Sequence, residues 1–239
     1  MKAFLLAAGH GTRLRPLTDR TPKCLLPIQG IPMLGIWLEQ CRRFGIDQVL
    51  INLHAHAGIV RDFVRSHDYG VEVEIVEEPV LLGSAGTLLQ NREWVAGDDC
   101  FGVFYADVLT NADLGEMMQF HAARQTAATL GVYEVPDPSR CGIVQVDGNG
   151  IVTHFVEKPA VPIGNLAFSG VLIATPKIFD VIPDSESSDI GFHVLPKLVG
   201  RMAAYPIRDY LTDIGTLENY EQAQALWPGL TSLAQVEHA

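Results

Sequence analysis

The residues best suited to chemistry lie near the start of the chain, in Gly9-His10-Gly11-Thr12-Arg13 and, a little further on, Lys23. Two glycines let backbone N–H groups approach a polyphosphate closely. An arginine can clamp phosphate oxygens with two parallel bonds, whereas a lysine acts as a point charge. Pro16, Pro22 and Pro27 stiffen the loop and limit the entropy lost when it orders. Residues 1–23 carry Lys2, Arg13, Arg15, Arg20 and Lys23 against the single acid Asp19, in a chain of formal net charge −11. A local positive patch on an acidic protein points to a small anionic ligand held in one place. For a lone G-x-G, a surface turn with solvated cations is the competing reading.

Two familiar phosphate loops are excluded. A dinucleotide fingerprint needs G-x-G-x-x-G running directly into a helix, but here the sixth position is Leu14, followed by Arg15 and Pro16. The acid that would hold a ribose is also missing, because the second strand ends near Asn52 and Leu53. A Walker loop needs G-K-[ST], which does not occur. His54-x-His56 has no cysteine or carboxylate at metal-ligand spacing nearby and reads as a strand-end loop pair. Cys24, Cys41, Cys100 and Cys141 are far apart, which suits packing in a reducing, cytoplasmic setting.

The elements that must position these residues follow from hydrophobic patterning. Lys2–Ala8 reads as a strand buried on both faces, stopped by glycine. Met33–Phe44 has apolar residues at helical spacing with Gly45 past its end. Strands are expected at Gln48–Leu53, Val71–Val76 (its alternating acids suggesting an exposed position) and Phe101–Ala106. Between them Ile59–Val64 and Ala85–Asn91 read as helical, and another helix begins near Asp113. After about Ala127 the pattern changes to strands at Thr129–Glu134, Gly142–Val146, Ile151–Val156 and Ala167–Ala174, the middle two resembling a hairpin. Helices Ile190–Met202 and Leu217–Leu226 close the chain. This alternation predicts an α/β fold, a Rossmann-like, mostly parallel mixed sheet flanked by helices, with ligands at the carboxyl ends of its strands. One domain over residues 1–239 is expected, with a nucleotide half to about residue 126 and a substrate half over about 127–230.

The bulk numbers agree. Of 239 residues, 48 % are hydrophobic and 19 % charged, enough for a substantial core. The acidic balance argues against a nucleic-acid partner. No apolar run approaches the ~20 residues needed to span a bilayer, so no membrane partner is expected. A homo-oligomer is left open.

The string LAAGHGTRLRPLTDRTPKCLLPIQGIPML closely resembles the opening of the sugar-1-phosphate nucleotidyltransferases, which runs G-x-G-T-R-L-x-P-L-T and then P-K-x-L-x-P. The resemblance extends along nearly the whole chain. Leu82-Gly83-Ser84-Ala85-Gly86-Thr87 looks like the family's base-recognition segment L-G-T-A-G. Tyr105-Ala106-Asp107 matches its metal-binding aspartate position after the central strand. Ser139-Arg140-Cys141-Gly142-Ile143-Val144 and Val156-Glu157-Lys158-Pro159 resemble its sugar-phosphate segments, and Thr212-Asp213-Ile214-Gly215-Thr216 the element carrying a second metal-binding aspartate.

The resemblance implies transfer of a nucleotidyl group from a nucleoside triphosphate to a sugar 1-phosphate, with pyrophosphate leaving and Mg²⁺ as cofactor. It places Arg13 and Lys23 on the triphosphate as catalytic residues, and Asp107 and Asp213 on Mg²⁺. Leu6, Ala8, Gly9, Gly11, Thr12, Gly83, Gly86 and Thr87 fall to the nucleotide. Gly142, Glu157, Lys158, Asn165 and Ser169 fall to the sugar phosphate. Each aspartate has a competing reading as a helix N-cap, Asp107 near the helix at Asp113 and Asp213 for the last helix. For Glu157-Lys158 the competing reading is a solvated hairpin-edge pair.

The chain departs from the family pattern at Ala106, where glycine is common, and at Cys141 and Leu211, where the family carries aromatic residues. Phe168-Ser169-Gly170 aligns with N-A-G, so the usual asparagine is missing, and whether Asn165 substitutes is left open. L-G-S-A-G is closest to the mannose-1-phosphate guanylyltransferases, so GTP with a mannose- or manno-heptose 1-phosphate leads. A uridylyl- or thymidylyltransferase of the same fold, a phosphocholine-type cytidylyltransferase and a catalytically silent nucleotide-sugar sensor are the alternatives. With only residues 222–239 after the last motif, no hexapeptide-repeat domain is expected.

Overall fold

Uninterrupted apolar runs must be covered on both faces, and this requirement organises the molecule. The computed structural model describes residues 1–230; the last stretch of the expected domain, 231–239, lies outside the described residues. The first half runs β1 (Lys2–Leu6), β2 (Pro27–Ile28), β3 (Ile31–Pro32), α1 (Met33–Arg43), β4 (Gln48–Leu53), α2 (Ala57–Ser66), β5 (Glu72–Glu77), α3 (Gly83–Gln90), β6 (Phe101–Tyr105), β7 (Val108–Thr110) and α4 (Leu114–Arg124). The second half runs β8 (Ala128–Glu134), β9 (Gly142–Val146), β10 (Val152–Glu157), β11 (Leu166–Ala174), β12 (Met202–Pro206), β13 (Leu211–Asp213) and α5 (Leu217–Leu226).

The main sheet has nine strands. β5, β4, β1 and β6 are neighbours in that order and all parallel. β11 then runs antiparallel to β6 and to β8, and β12 lies parallel to β8 at the far edge. The hairpin β9–β10 joins through Ala167 of β11. This is the expected mostly parallel mixed sheet, with β5 on an edge as its alternating acids suggest.

Side-chain alternation divides the core in two. Ala3 and Leu5 pack with Met33, Trp37 and Leu38 of α1, Leu114 and Met117 of α4 and Ala223 of α5. Phe4 and Leu50 face the other way, toward Ala85 and Leu88 of α3 and the segment from Ile190 to Leu198. Successive strand residues thus serve opposite layers, which is why these strands read as continuous apolar runs.

One expected element is wrong. Ile190–Met202 is not a helix but a π-helical turn Ile190–Val194, a 3-10 turn Leu195–Leu198, and then a strand beginning at Met202. Pro196 removes a backbone donor, and Gly200 turns the chain at φ 80° so that Met202 can pair with Ala128. Elsewhere the differences are at element ends, as where β1 stops at Leu6 rather than Ala8. The short strands β7 and β13 carried no legible signal, yet they build the site.

Candidate active site

The site begins where β6 ends. Asp107 follows that strand, and Asp213 is the last residue of β13. β7 and β13 form a separate antiparallel pair in which Asp213 lies opposite Val108, and Ile214 N donates to the Asp107 carbonyl at 2.9 Å. Two aspartates distant in sequence are thereby placed side by side. α1 supports this pair from behind. Trp37 stacks on Phe104 at 5.0 Å and donates from Nε1 to the Val108 carbonyl at 2.9 Å, and Gln40 Nε2 donates to the Thr110 carbonyl at 2.9 Å.

Both capping alternatives fail. Asp113 itself caps α4 by accepting from Glu116 N, and Thr216 caps α5 by accepting from Asn219 N. That leaves Asp107 and Asp213 to face each other. Lys23 Nζ sits 2.5 Å from Asp107 Oδ2, its side chain only 10 % exposed. Asp213 Oδ1 accepts from Gly215 N at 2.5 Å. Arg13 comes within 3.0 Å of the point where a Cβ on Gly215 would lie, next to the Asp213 carboxylate. Burial, and then the charge of Asp107, push the Asp213 carboxyl up; Lys23, the Gly215 N–H and Arg13 pull it down.

The glycine loop keeps these cations in place. Gly11 adopts φ 62°, and a Cβ there would press on Thr18 and Lys23. Its carbonyl accepts from Thr18 Oγ1 at 2.8 Å and from Leu14 N at 2.9 Å. A Cβ on Gly9 would meet nothing within 4 Å, so that backbone is open to close approach. Leu6 is tied into the sheet through Ala106 N, Ala8 is buried and Thr12 exposed. A cleft lined by Gly9, His10, Thr18, Lys23 and His56 opens beside the loop.

Across the site, Glu157 ends β10 with 14 % of its side chain exposed, and Lys158 Nζ stands 3.8 Å from Glu157 Oε1. Lys158 Nζ also lies 5.5 Å above the Phe192 ring. Glu157 is not part of a solvated edge, because a Cβ on Gly142 or Gly191 would run into its carboxylate, whereas the Lys158 side chain is 57 % exposed. Burial, then Asp189, raise the Glu157 carboxyl, against the pull of Lys158. The thiol of Cys141, which stands next to Gly142 in the pairing with Glu157, is raised by burial and then by the charges of Asp213 and Glu157.

Other predicted residues are engaged by protein. Gly83, at φ 75°, lies so close to the Ser188 carbonyl that no side chain fits, and the same carbonyl accepts from Ala85 N and Gly86 N. The Thr87 hydroxyl faces Glu78 and Asn52. Ser169 is buried, its Oγ accepting from Val171 N at 3.2 Å. Asn165 is exposed and its carbonyl accepts from Val135 N. The structure therefore brings together Arg13, Lys23, Asp107 and Asp213, and separately Gly142, Glu157 and Lys158.

Sequence reading missed Ser84 and Asp189 as a joint feature. Ser84 Oγ donates to Asp189 Oδ2 at 2.8 Å and accepts from Ile190 N at 2.8 Å. The one available signal was Ser84 standing where the family has threonine.

Residues 2–227 match the family model described as nucleotidyl transferase, and the chain belongs to that family. It is 34 % identical to a Synechocystis sp. protein named UTP–glucose-1-phosphate uridylyltransferase, over 93 % of this chain and 62 % of that relative. It is 30 % identical to mannose-1-phosphate guanylyltransferase 1 of Arabidopsis thaliana, over 92 % of this chain and 63 % of the relative. Among solved structures it resembles HddC from Yersinia pseudotuberculosis complexed with GMP-PN, with TM-score 0.78 and 25 % identity over 94 % of this chain and 98 % of that one. The chain spans about three-fifths of the length of these curated relatives.

Proposed function

We propose that this chain transfers a nucleotidyl group from a nucleoside triphosphate to a sugar 1-phosphate, releasing pyrophosphate, with GTP and a manno-configured sugar phosphate as the leading substrates. The observation that carries the reading is the convergence of Lys23, Arg13, Asp107 and Asp213 at the end of β6, opposite Glu157 and Lys158. An oxygen of the sugar phosphate forms a bond to the α-phosphorus, and the bond from that phosphorus to the bridging oxygen breaks. The electron pair leaves with pyrophosphate. No protein nucleophile is required, so positioning and charge neutralisation supply the catalysis.

Lys23 and Arg13 stabilise the departing pyrophosphate in this reading. Lys158 binds the incoming phosphate and lowers repulsion between two polyanions, and Glu157 accepts hydrogen bonds from sugar hydroxyls. Backbone at Leu6–Gly9 and the Gly83–Gly86 turn hold ribose and base. The chain thus divides into a nucleotide half to about residue 126 and a sugar-phosphate half beyond it.

Asp107 and Asp213 suit a divalent cation. Their charges oppose each other, which a cation relieves, and no trio of His, Cys, Asp or Glu able to hold a metal occurs among the described residues. A site of two carboxylates completed by substrate phosphates is the pattern Mg²⁺ prefers. Mg²⁺ bound there supplies neutralisation of phosphate charge. No helix among the described residues is long and apolar enough to cross a membrane, and free thiols accord with a reducing cytoplasm.

The guanylyl preference draws on L-G-S-A-G, the Arabidopsis relative and the GMP-PN complex of HddC. UTP with glucose 1-phosphate is the second reading, favoured by the Synechocystis relative. The test is pyrophosphate release with Mg²⁺ across GTP, UTP, dTTP and CTP, each against mannose, glucose and heptose 1-phosphates and phosphocholine. Release is expected only when an acceptor phosphate is present. Lys23→Ala should lower kcat by about 10²–10³-fold with the circular dichroism spectrum retained. Silence over the whole panel would replace this reading with a binding-only sensor.

A further inference from the structure

The proposed reaction leaves one buried carboxylate unused. Glu78 follows β5, is 5 % exposed, and lies beneath the first loop. Burying a carboxylate is costly unless its oxygens are satisfied. Here Oε1 accepts from Asn52 Nδ2 at 2.9 Å and from Thr87 Oγ1 at 2.5 Å, and Oε2 accepts from Leu82 N at 3.2 Å. Asn52 is itself 4 % exposed, and its Oδ1 accepts from Ala7 N at 2.8 Å. Chemistry permits only this orientation of the Asn52 amide, because Ala7 N is a donor and Glu78 an acceptor.

The connection runs between the two segments assigned to the nucleotide, the backbone after β1 and the turn that opens α3. Ala7 N belongs to the first residue after β1, so Asn52 fixes the peptide plane from which the Leu6–Gly9 backbone departs. Leu82 N begins the turn that presents Gly83 and Gly86. The same carboxylate holds both, and the Thr87 hydroxyl, whose single proton goes to Glu78 Oε1, also stands 3.2 Å from the Gly83 carbonyl as an alternative acceptor. The Glu78 carbonyl accepts from His54 Nδ1 at 2.7 Å, and the His54 ring meets His10 of the glycine loop edge-on at 5.0 Å. A third point of the first loop is therefore tied to the same residue.

We infer that Glu78 is a positioning residue for the nucleotide, acting through Asn52 on the Leu6–Gly9 backbone and through Leu82 on the base turn. This rests on the assignment of those two segments to the nucleotide. Charge-assisted bonds are roughly twice as strong as neutral ones, which suits a single group that must hold two loops at a fixed separation. The sugar phosphate is bound elsewhere, at Glu157 and Lys158, so the effect is confined to one substrate.

The test exchanges the polarity of the inner bond. Asn52→Asp alone sets two carboxylates against each other, and Glu78→Gln alone sets an amide against an amide or leaves Leu82 N unpaired. Together they restore complementarity: Asp at 52 accepts from Ala7 N and from the glutamine amide, whose oxygen accepts from Leu82 N. Each single variant should raise KM for the triphosphate about tenfold, the size expected for one broken buried hydrogen bond. KM for the sugar phosphate and kcat should change less than about threefold, and the double variant should recover most of the triphosphate KM. Thr87→Val, which removes one donor and keeps the shape, should raise the same KM severalfold and covers the case of a single variant that does not fold. A lowered Tm with unchanged triphosphate KM, or equal changes in both KM values, would overturn the inference while leaving the reaction intact. Wild-type protein without pyrophosphate release would overturn the reaction reading and this inference together.

Discussion

At the scale of single residues, the informative quantity is how charges balance where Asp107 and Asp213 meet. Lys23 pairs directly with Asp107 at 2.5 Å, while Asp213 shares that lysine's charge at longer range and accepts only from the Gly215 N–H, with Arg13 nearby. The unequal pairing explains why the Asp213 carboxyl is pushed up by burial and by Asp107. A divalent cation between them would remove that penalty. Asp213→Asn keeps the shape and the bond from Gly215 N, but halves the carboxylate donor set. The Mg²⁺ concentration for half-maximal rate should rise roughly tenfold or more. Titration of activity with Mg²⁺ measures it, and an unchanged curve would remove Asp213 from the metal site. Cys141 is a residue-scale puzzle of a different kind. Its thiol stands where the resemblance expects an aromatic ring, one residue before Gly142, which pairs with Glu157, so the departure falls on the side proposed for the sugar phosphate and leaves the charged groups unchanged.

At the scale of elements, the two-stranded unit β7–β13 is too short to be stable alone. It persists because α1 binds one side of it through Trp37 and Gln40, and α5 the other through Asn219 Nδ2 on the Asp213 carbonyl at 2.8 Å. α5 also holds the Lys23 side of the site. Tyr220 and Gln224 both donate to the Pro27 carbonyl, just beyond the 3-10 turn that carries Lys23. Trp37→Phe keeps the stack on Phe104 but leaves the buried Val108 carbonyl without its donor. It should cost about 1–3 kcal/mol by urea unfolding. Because β7 directly follows Asp107, kcat should fall with it. Loss of stability with full activity would show that the support is not transmitted to the site.

At the scale of the whole molecule, a buried histidine couples stability to pH. His121 on α4 is 4 % exposed, pairs with Thr129 Oγ1 at 2.9 Å, and is pushed below its ordinary 6.5 by burial. The unfolded chain therefore binds this proton at a higher pH than the folded one does. Stability from this residue is complete above about 6.5 and falls as pH drops toward the depressed value, by at most about 1.4 kcal/mol per unit. Urea midpoints measured between pH 7.5 and 5 should decline, and His121→Gln should flatten the decline. An equal slope in the variant would assign the effect to other groups.

Most of the sheet and the helices α1, α2, α3 and α5 were legible in the sequence, because continuous apolar runs and helical spacing report burial directly. The chemical groups of the site were legible through the glycine loop with its cations and through the family resemblance, which singled out Asp107 and Asp213. The sequence by itself therefore determined the fold class and the inventory of charges. Only the tertiary structure decided which charges meet. β7 and β13 have three residues each and no periodicity to detect, yet their pairing sets Asp107 beside Asp213. The breaking of Ile190–Met202 into turns and a strand was signalled by Pro196 and Gly200, but the apolar residues around them suit a helix as well as a buried turn, and the pairing of Met202 with Ala128 that decides it is tertiary. The connection from Ala7 through Asn52 and Glu78 to Leu82 joins residues from separate elements. Its hydrogen bonds exist only once β1, β4, β5 and α3 are packed, and no local pattern encodes them.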